Sequence, residues 1–306
     1  MLNNGIGDIF KVFNNFTQED FIPIKTTDSY HIGNLHRLFL DQIRGHAMMI
    51  NGNPLIFKDD EILLDSCDFE FNSRHFSNLL LSLKSDKNIH PKLLNQLNGW
   101  RNECYIVYGN NNVPLFELER SAAGIFGIPT FGIHLTAYDN DYNIWIPRRS
   151  YNKSTFPGLL DNTVAGGISA GHSIHQTVLK ECEEEANLNN DFVKNNVKPA
   201  GVLTYYYLND EVFLQPEIQF IFDLNLPSNV IPKVHDGEVH SFSLLHLNEV
   251  LHSVKFNLND WKPNSALVMI DFLIRHGHLS YLNEPNLLHY QMLSHFNLNV
   301  GNSYVH

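Results

Sequence analysis

Apolar residues return at helical spacing between Asn34 and Arg44, where Leu35, Leu38, Phe39 and Ile43 share one face, and this predicts a helix. Phe76 to Leu83 and Pro91 to Leu97 predict further helices. Tyr105 to Tyr108 and Leu115 to Leu118 predict strands on either side of the turn Gly109-Asn110-Asn111-Asn112. From about Gly132 the texture changes. Ile133 to Tyr138 and Ile144 to Pro147 flank Asp139-Asn140-Asp141 and predict a hairpin, followed by a loop over Arg148 to Asp161. A short apolar segment, Thr163 to Ala165, leads into Gly166-Gly167.

Ser173 to Ala186 carries the strongest helical pattern. Ser173 is its N-cap, Val178, Leu179, Cys182 and Ala186 form its apolar face, and Asn187 takes the left-handed residue that ends it. Strands are predicted at Gly201 to Leu208, Glu217 to Leu224 and Val239 to Leu244, and a last helix at Ser265 to His276. Strands alternating with helices predict an α/β (α+β) fold with a mixed sheet covered on both faces.

Composition narrows the function. A chain of 306 residues, 43% hydrophobic, can bury a large core and is long enough for two domains. No run approaches the ~20 apolar residues of a membrane span. The nearest, Ala122 to Tyr138, is broken by glycines, Pro129 and His134. The amino terminus shows no basic segment followed by an apolar one, so no signal peptide is expected. Cys67, Cys104 and Cys182 have no paired spacing, and a cytoplasmic setting is expected. A formal charge of −12 argues against nucleic-acid binding, which relies on clustered Lys and Arg. The 17 histidines are scattered without ligand spacing.

The informative chemistry lies in Lys180-Glu181-Cys182-Glu183-Glu184-Glu185. On a helix Glu181, Glu184 and Glu185 stand at i, i+3 and i+4, so their carboxylates share a face and repel one another. A hard divalent cation such as Mg²⁺ would offset that repulsion and bridge the carboxylates to substrate phosphates. A solvated acidic face is the ordinary alternative. The glycine-rich run Gly166-Gly167-Ile168-Ser169-Ala170-Gly171, at fixed distance before the helix, favours the cation, since it lets a loop pass close to metal and ligand.

This segment resembles the Nudix box, Gly-x5-Glu-x7-Arg-Glu-apolar-x-Glu-Glu-x-Gly-apolar, through Gly166, Glu181, Cys182, Glu184, Glu185 and Leu188. Three positions depart from it: His172 replaces Glu, Lys180 replaces Arg and Asn187 replaces Gly. The likeness extends over Gly99 to Gly277. It includes Trp100-Arg101-Asn102-Glu103, Phe116-Glu117-Leu118-Glu119-Arg120, Trp145-Ile146-Pro147-Arg148-Arg149-Ser150 and Asp236-Gly237-Glu238-Val239. Together these are similar to the Nudix subfamily with an extra amino-terminal domain of unknown function, related to the non-kinase half of fungal thiamine pyrophosphokinase fusions.

The resemblance implies a Nudix α/β/α sandwich over residues 125–280. A smaller α+β accessory domain over 1–124 would precede it and cover the organic end of a substrate, and an extension over 281–306 would follow. It also implies hydrolysis of a small organic diphosphate, with thiamine diphosphate and its damaged forms as first candidates. Mg²⁺ or Mn²⁺ would be held by Glu181, Glu184 and Glu185, and Glu184, Glu185 or Glu238 would serve in catalysis. Arg148, Arg149 and Lys153 are either phosphate ligands, through the forked donors of arginine, or ordinary surface charge. Glu238 is either a metal ligand or base, or a solvent-facing turn residue. Trp100, Arg101, Asn102 and Glu103 either recognise a heterocycle by stacking and hydrogen bonding, or Trp100 belongs to the core with its N–H satisfied. Cys182 reads as packing. Two rival functions follow from the same fold, a diphosphate-binding regulator without turnover, to which His172 points, and an isoprenoid-diphosphate isomerase. The partner expected is a small molecule, with no nucleic acid and no membrane.

Overall fold

The computed structural model describes residues 6–13 and 15–280, and the extension expected over 281–306 lies outside the described residues. After a short helix α1 (Ile6–Ile9) come β1 (Phe21–Thr26), β2 (His31–His36), α2 (Leu40–Met49), β3 (Leu55–Phe57) and β4 (Ile62–Leu64), whose strands form one sheet in the order β2-β1-β4-β3. Helices α3 (Phe69–Ser85) and α4 (Pro91–Asn98) and a ribbon of β5 (Cys104–Tyr108) and β6 (Pro114–Glu119) complete this lobe. Phe76 stacks on Phe116 at 4.0 Å between ring centroids in its core.

The helix predicted over Asn34 to Arg44 requires correction. Asn34, Leu35 and His36 belong to β2, where Leu35 pairs with Ile22, and the helix begins only at Leu40. The apolar spacing fits a helix, but non-local pairing overrides it. Leu38, counted in the apolar stripe, is 52% exposed. Gly33 also needs the strand, since a Cβ there would stand 2.4 Å from the Phe126 carbonyl oxygen.

The second lobe contains β7 (Thr130–Tyr138), β8 (Asn143–Arg149), β9 (Val164–Gly167), α5 (Ile174–Ala186), α6 (Asn190–Asn196), β10 (Lys198–Leu208), β11 (Leu214–Asn225), β12 (Val239–His246), α7 (Leu247–Phe256) and α8 (Pro263–Arg275). Its six-stranded sheet runs β10-β11-β7-β8-β12, with β9 added on β7, and is mixed because β11 and β7 are parallel. The hairpin predicted at Asp139 forms, with Asp139 accepting the Asp141 and Asn143 backbone N–H groups, each at 2.9 Å. It pairs β7 with β8 only at Tyr138 and Ile144. The rest of that edge is left to β9, which brings Gly166 and Gly167 beside Ile133 and Gly132.

Alternation along β7 builds the two faces. Ile133, Leu135 and Ala137 pack with Val178, Cys182 and Ala186 of α5, whereas Ile144, Ile146 and Ile221 pack under α7 and α8. The result is an α/β/α sandwich. Each lobe also anchors the other. Ile6, Ile9, Phe10 and Phe13 lie in the second core, and Phe213, from the β10–β11 turn, stacks on Phe39 of the first at 5.2 Å. Among the described residues no helix is long and apolar enough to cross a membrane.

His134 points to the α8 side of β7 and donates to Asn162 Oδ1 at 2.7 Å. Burial, helped by Lys262 and Arg149 against Asp161 and Asn162, pushes its pKa down to about 4, and burial alone does the same for His75. A folded-state pKa below the unfolded ~6.5 means that stability is present above that pH and is lost as pH falls toward 4. For His134 the loss amounts to roughly 3 kcal/mol. The urea midpoint is therefore expected to drop between about pH 6.5 and 4, with a shallower drop in His134→Gln. Equal slopes for the two proteins would refute the assignment to His134.

Candidate active site

The site grows from the turn between β9 and α5. Ser173 caps α5 in a capping box with Gln176, and Asn187, at φ 51°, ends it in the left-handed conformation. The helix lies against β9 so closely that a Cβ on Gly166 would stand 2.4 Å from Glu181 Cδ. Glu185 is buried and accepts the Ala165 backbone N–H at 2.9 Å. Lys180 Nζ lies between Glu184 Oε2, at 2.6 Å, and Glu181 Oε1, at 3.2 Å. The lysine therefore pairs with the glutamates, while the side chain of His172 is exposed.

Electrostatics follow from this crowding. Burial pushes Glu181 up; Lys180 opposes it, and Glu184 and Glu238 add to it. Burial also pushes Glu185 well up, against the hydrogen bond from Ala165 and with Glu181 and Asp161 adding. Both carboxyls lack enough positive charge. Among the described residues no three His, Cys, Asp or Glu side chains already surround a common point as a cation cage. The donors nevertheless fit a hard divalent ion. All are carboxylate oxygens, and two of them converge on the ammonium of Lys180.

Glu238 comes to the same place from the turn before β12. Burial would raise its pKa, but Lys153, in direct contact, and then Arg101 and Arg120 bring it below the usual carboxylate value. Glu238 lies within electrostatic reach of Glu181, and Lys153 of Glu185.

Arg148 and Arg149 stand opposite Ser241 and Val239 of β12, the strand that Glu238 precedes. They end β8 rather than starting a loop, and their guanidinium groups are turned onto the chain. Arg148 Nη1 donates to the Gly158 carbonyl at 2.6 Å. Buried Arg149 donates to the carbonyls of Phe156 and Thr155, each at 3.0 Å, and to Asp161 Oδ2 at 2.6 Å. These contacts brace the Ser150–Leu160 loop that carries Lys153. Trp100 packs on the first core, with Lys84 Nζ 5.0 Å from its ring centre and its Nε1 on Asn102 at 3.0 Å. Cys182 faces the core and burial pushes its thiol up, as packing requires.

Arg101, of the segment expected to recognise a heterocycle, acts on Glu238 from the first lobe. Tyr105 and Arg120 of the same lobe, and Glu217 and Gln219 beside Gly132, escaped the sequence reading. Glu217 accepts from the Tyr205 hydroxyl and, at 2.8 Å, from Gln219 Nε2, leaving Gln219 Oε1 buried without a partner. No periodicity marks such residues. The only signal was that Trp100-Arg101-Asn102-Glu103 and Phe116 to Arg120 belong to the familiar segments.

The second lobe is thus a mixed sheet between two helical layers, with a glycine turn leading a carboxylate-bearing helix along its edge. The chain belongs to the Nudix hydrolase family. A NUDIX domain matches residues 129–267, and a domain of unknown function (DUF4743) matches residues 8–130. The uncharacterized protein YJR142W of Saccharomyces cerevisiae is 40% identical over 243 residues, covering 74% of this chain and 69% of that protein. Nudix hydrolase 20, chloroplastic, of Arabidopsis thaliana is 38% identical over 218 residues, covering 70% of this chain and 56% of the plant protein. Nudix hydrolase 24, chloroplastic, from the same plant is 39% identical over 183 residues, covering 58% and 49%. The chain thus spans about half the length of these two plant relatives.

Proposed function

We propose that this protein is a Mg²⁺- or Mn²⁺-dependent pyrophosphohydrolase that converts a small organic diphosphate to the monophosphate and phosphate. The observation that carries the reading is the convergence of Glu181 and Glu184 on a cation, the Lys180 ammonium, beside the bare Gly166 turn. A divalent cation held by Glu181, Glu184 and Glu185 would neutralise the diphosphate and acidify the attacking water. The water oxygen bonds to phosphorus as the anhydride P–O bond breaks, and a glutamate accepts the proton. Glu185, kept basic by burial, and Glu238 and Glu184, near Lys153 and Lys180, are the candidates. Lys153 would carry positive charge to the departing phosphate.

The organic group is proposed to be a heteroaromatic ring bearing hydrogen-bond donors. Glu217 and the unpaired Gln219 Oε1 offer acceptors for it beside Gly132. Thiamine diphosphate and its damaged analogues fit this description and the familial segments. Three unpaired cysteines suit the reducing cytoplasm. The test is phosphate release with Mg²⁺ from a panel of thiamine diphosphates, nucleoside triphosphates and dinucleotide polyphosphates, with the products identified. Faster cleavage of the thiamine compounds is expected. Far faster cleavage of the nucleotides would overturn the substrate assignment, and no cleavage of any compound would leave only the binding regulator.

A further inference from the structure

We propose that the amino-terminal lobe supplies the anion clamp of the site, with Arg120, seconded by Arg101, binding the diphosphate on which the carboxylate helix acts. The proposal rests on the hydrolase reading for its substrate and assigns a task to the domain of unknown function. Arg120 follows β6 directly, in a single turn of 3-10 helix. Its backbone N–H donates to the Glu103 carbonyl at 2.8 Å and its Nη1 to the Glu103 carboxylate at 2.8 Å. Its guanidinium lies over the Tyr105 ring, 5.6 Å from the centroid. The side chain is therefore held in place before any ligand arrives, which reduces the ordering cost of binding.

The place where it is held is informative. On Gly167, a Cβ would stand 2.6 Å from the Tyr105 hydroxyl and 3.3 Å from Arg120 Nη2. Both glycines of the turn are bare for matching reasons: Glu181 fills the space beside Gly166, and the other lobe's Tyr105 and Arg120 fill that beside Gly167. The two lobes are also tied here by the Ala170 backbone N–H, which donates to the Cys104 carbonyl at 2.8 Å. Arg120 is close enough to Glu181 for that carboxylate to favour its charge, and Arg120 and Arg101 both act on Glu238. Arg101 Nη2 reaches across to Ser154 Oγ at 3.1 Å, next to Lys153. Arg101, Arg120 and Lys153 thus surround the carboxylate end of the site.

An organised fork of this kind matches the paired oxygens of a diphosphate, whereas a lone ammonium acts as a point charge. The amino-terminal lobe then holds the phosphate end of the substrate, a different task from covering the organic end. Since Arg120 also pairs with Glu103 across the end of the β5–β6 ribbon, its removal also loosens that ribbon, and Glu103→Gln provides the control by removing the charge of that pair while sparing the cation.

The experiment is titration calorimetry of inorganic diphosphate, with Mg²⁺, into the full chain and its Arg120→Gln, Arg120→Lys and Glu103→Gln variants. Thermal unfolding and turnover of organic diphosphates are measured on the same samples. Arg120→Gln is expected to weaken binding at least about tenfold, in keeping with a charge-assisted bidentate contact. Arg120→Lys should recover part of it, and Glu103→Gln, whose amide oxygen can still accept from Arg120, should lose far less than Arg120→Gln. Unchanged binding in Arg120→Gln would overturn the clamp. So would an equal loss in Glu103→Gln, or a wild type that does not bind inorganic diphosphate. A wild type that binds but cleaves no organic diphosphate would instead refute the hydrolase reading and leave the clamp standing.

Discussion

Glu184→Gln is expected to lower diphosphate turnover on the order of 10²–10³-fold, the scale seen when one group stabilising transition-state charge is removed. Stability should hardly change. Glu184 is half-exposed and its pair with Lys180, four residues back on α5, is a surface pair worth about 0.3–0.5 kcal/mol. The substitution also relieves repulsion from Glu181, whose pKa Glu184 helps to raise. This separation is what distinguishes an acidic face kept for a cation from one that merely faces solvent. Activity should fall while the melting curve stays in place, and excess chelator should do the same to the wild type. A fully active Glu184→Gln, or a wild type indifferent to chelator, would remove the cation from the mechanism.

Asp161→Ala is expected to be the most damaging single change to the fold, costing about 3–5 kcal/mol through an uncompensated buried charge on Arg149. Asp161 and Arg149 are 5% and 7% exposed and meet at 2.6 Å. Lys262 approaches Asp161 at 3.7 Å, the Ser265 hydroxyl donates to it, and so does the Asn162 backbone N–H at 2.9 Å. Burial alone would raise this carboxyl, yet Lys262 and Arg149 hold it far below the usual carboxylate range. A depressed folded-state pKa means that its contribution is present above about pH 4 and fades only in stronger acid, below the window set by His134. Urea denaturation of Asp161→Ala and of Arg149→Ala checks both ends of the pair. If Arg149→Ala kept its urea midpoint and only raised KM, the arginine would be a substrate ligand after all, and the brace would be refuted.

The sequence by itself determined the elements closed by local chemistry. Ser173, the carboxylate spacing of Glu181, Glu184 and Glu185, and Asn187 give α5 its cap, functional face and end within a stretch of 15 residues, because capping and helical periodicity are short-range effects. The strands of the second lobe were legible for the same reason, since alternation along each records which side is buried. The tertiary structure alone decided where charged side chains point. Arg148 and Arg149 look alike in the chain, yet buried Arg149 gives its donors to the loop after it and to Asp161, while Arg148 gives one to the Gly158 carbonyl. Asn34 to Arg44 was misread for a related reason, as β2 takes its partner from β1 and Phe126, and no local spacing records a distant partner. Arg120 and Tyr105 reach Gly167 from the other lobe, so their place at the site comes from lobe docking. Helix ends and faces follow from neighbours along the chain. Which cation meets which carboxylate follows from tertiary packing where the partners are far apart in the chain, as Lys153 and Glu238 are.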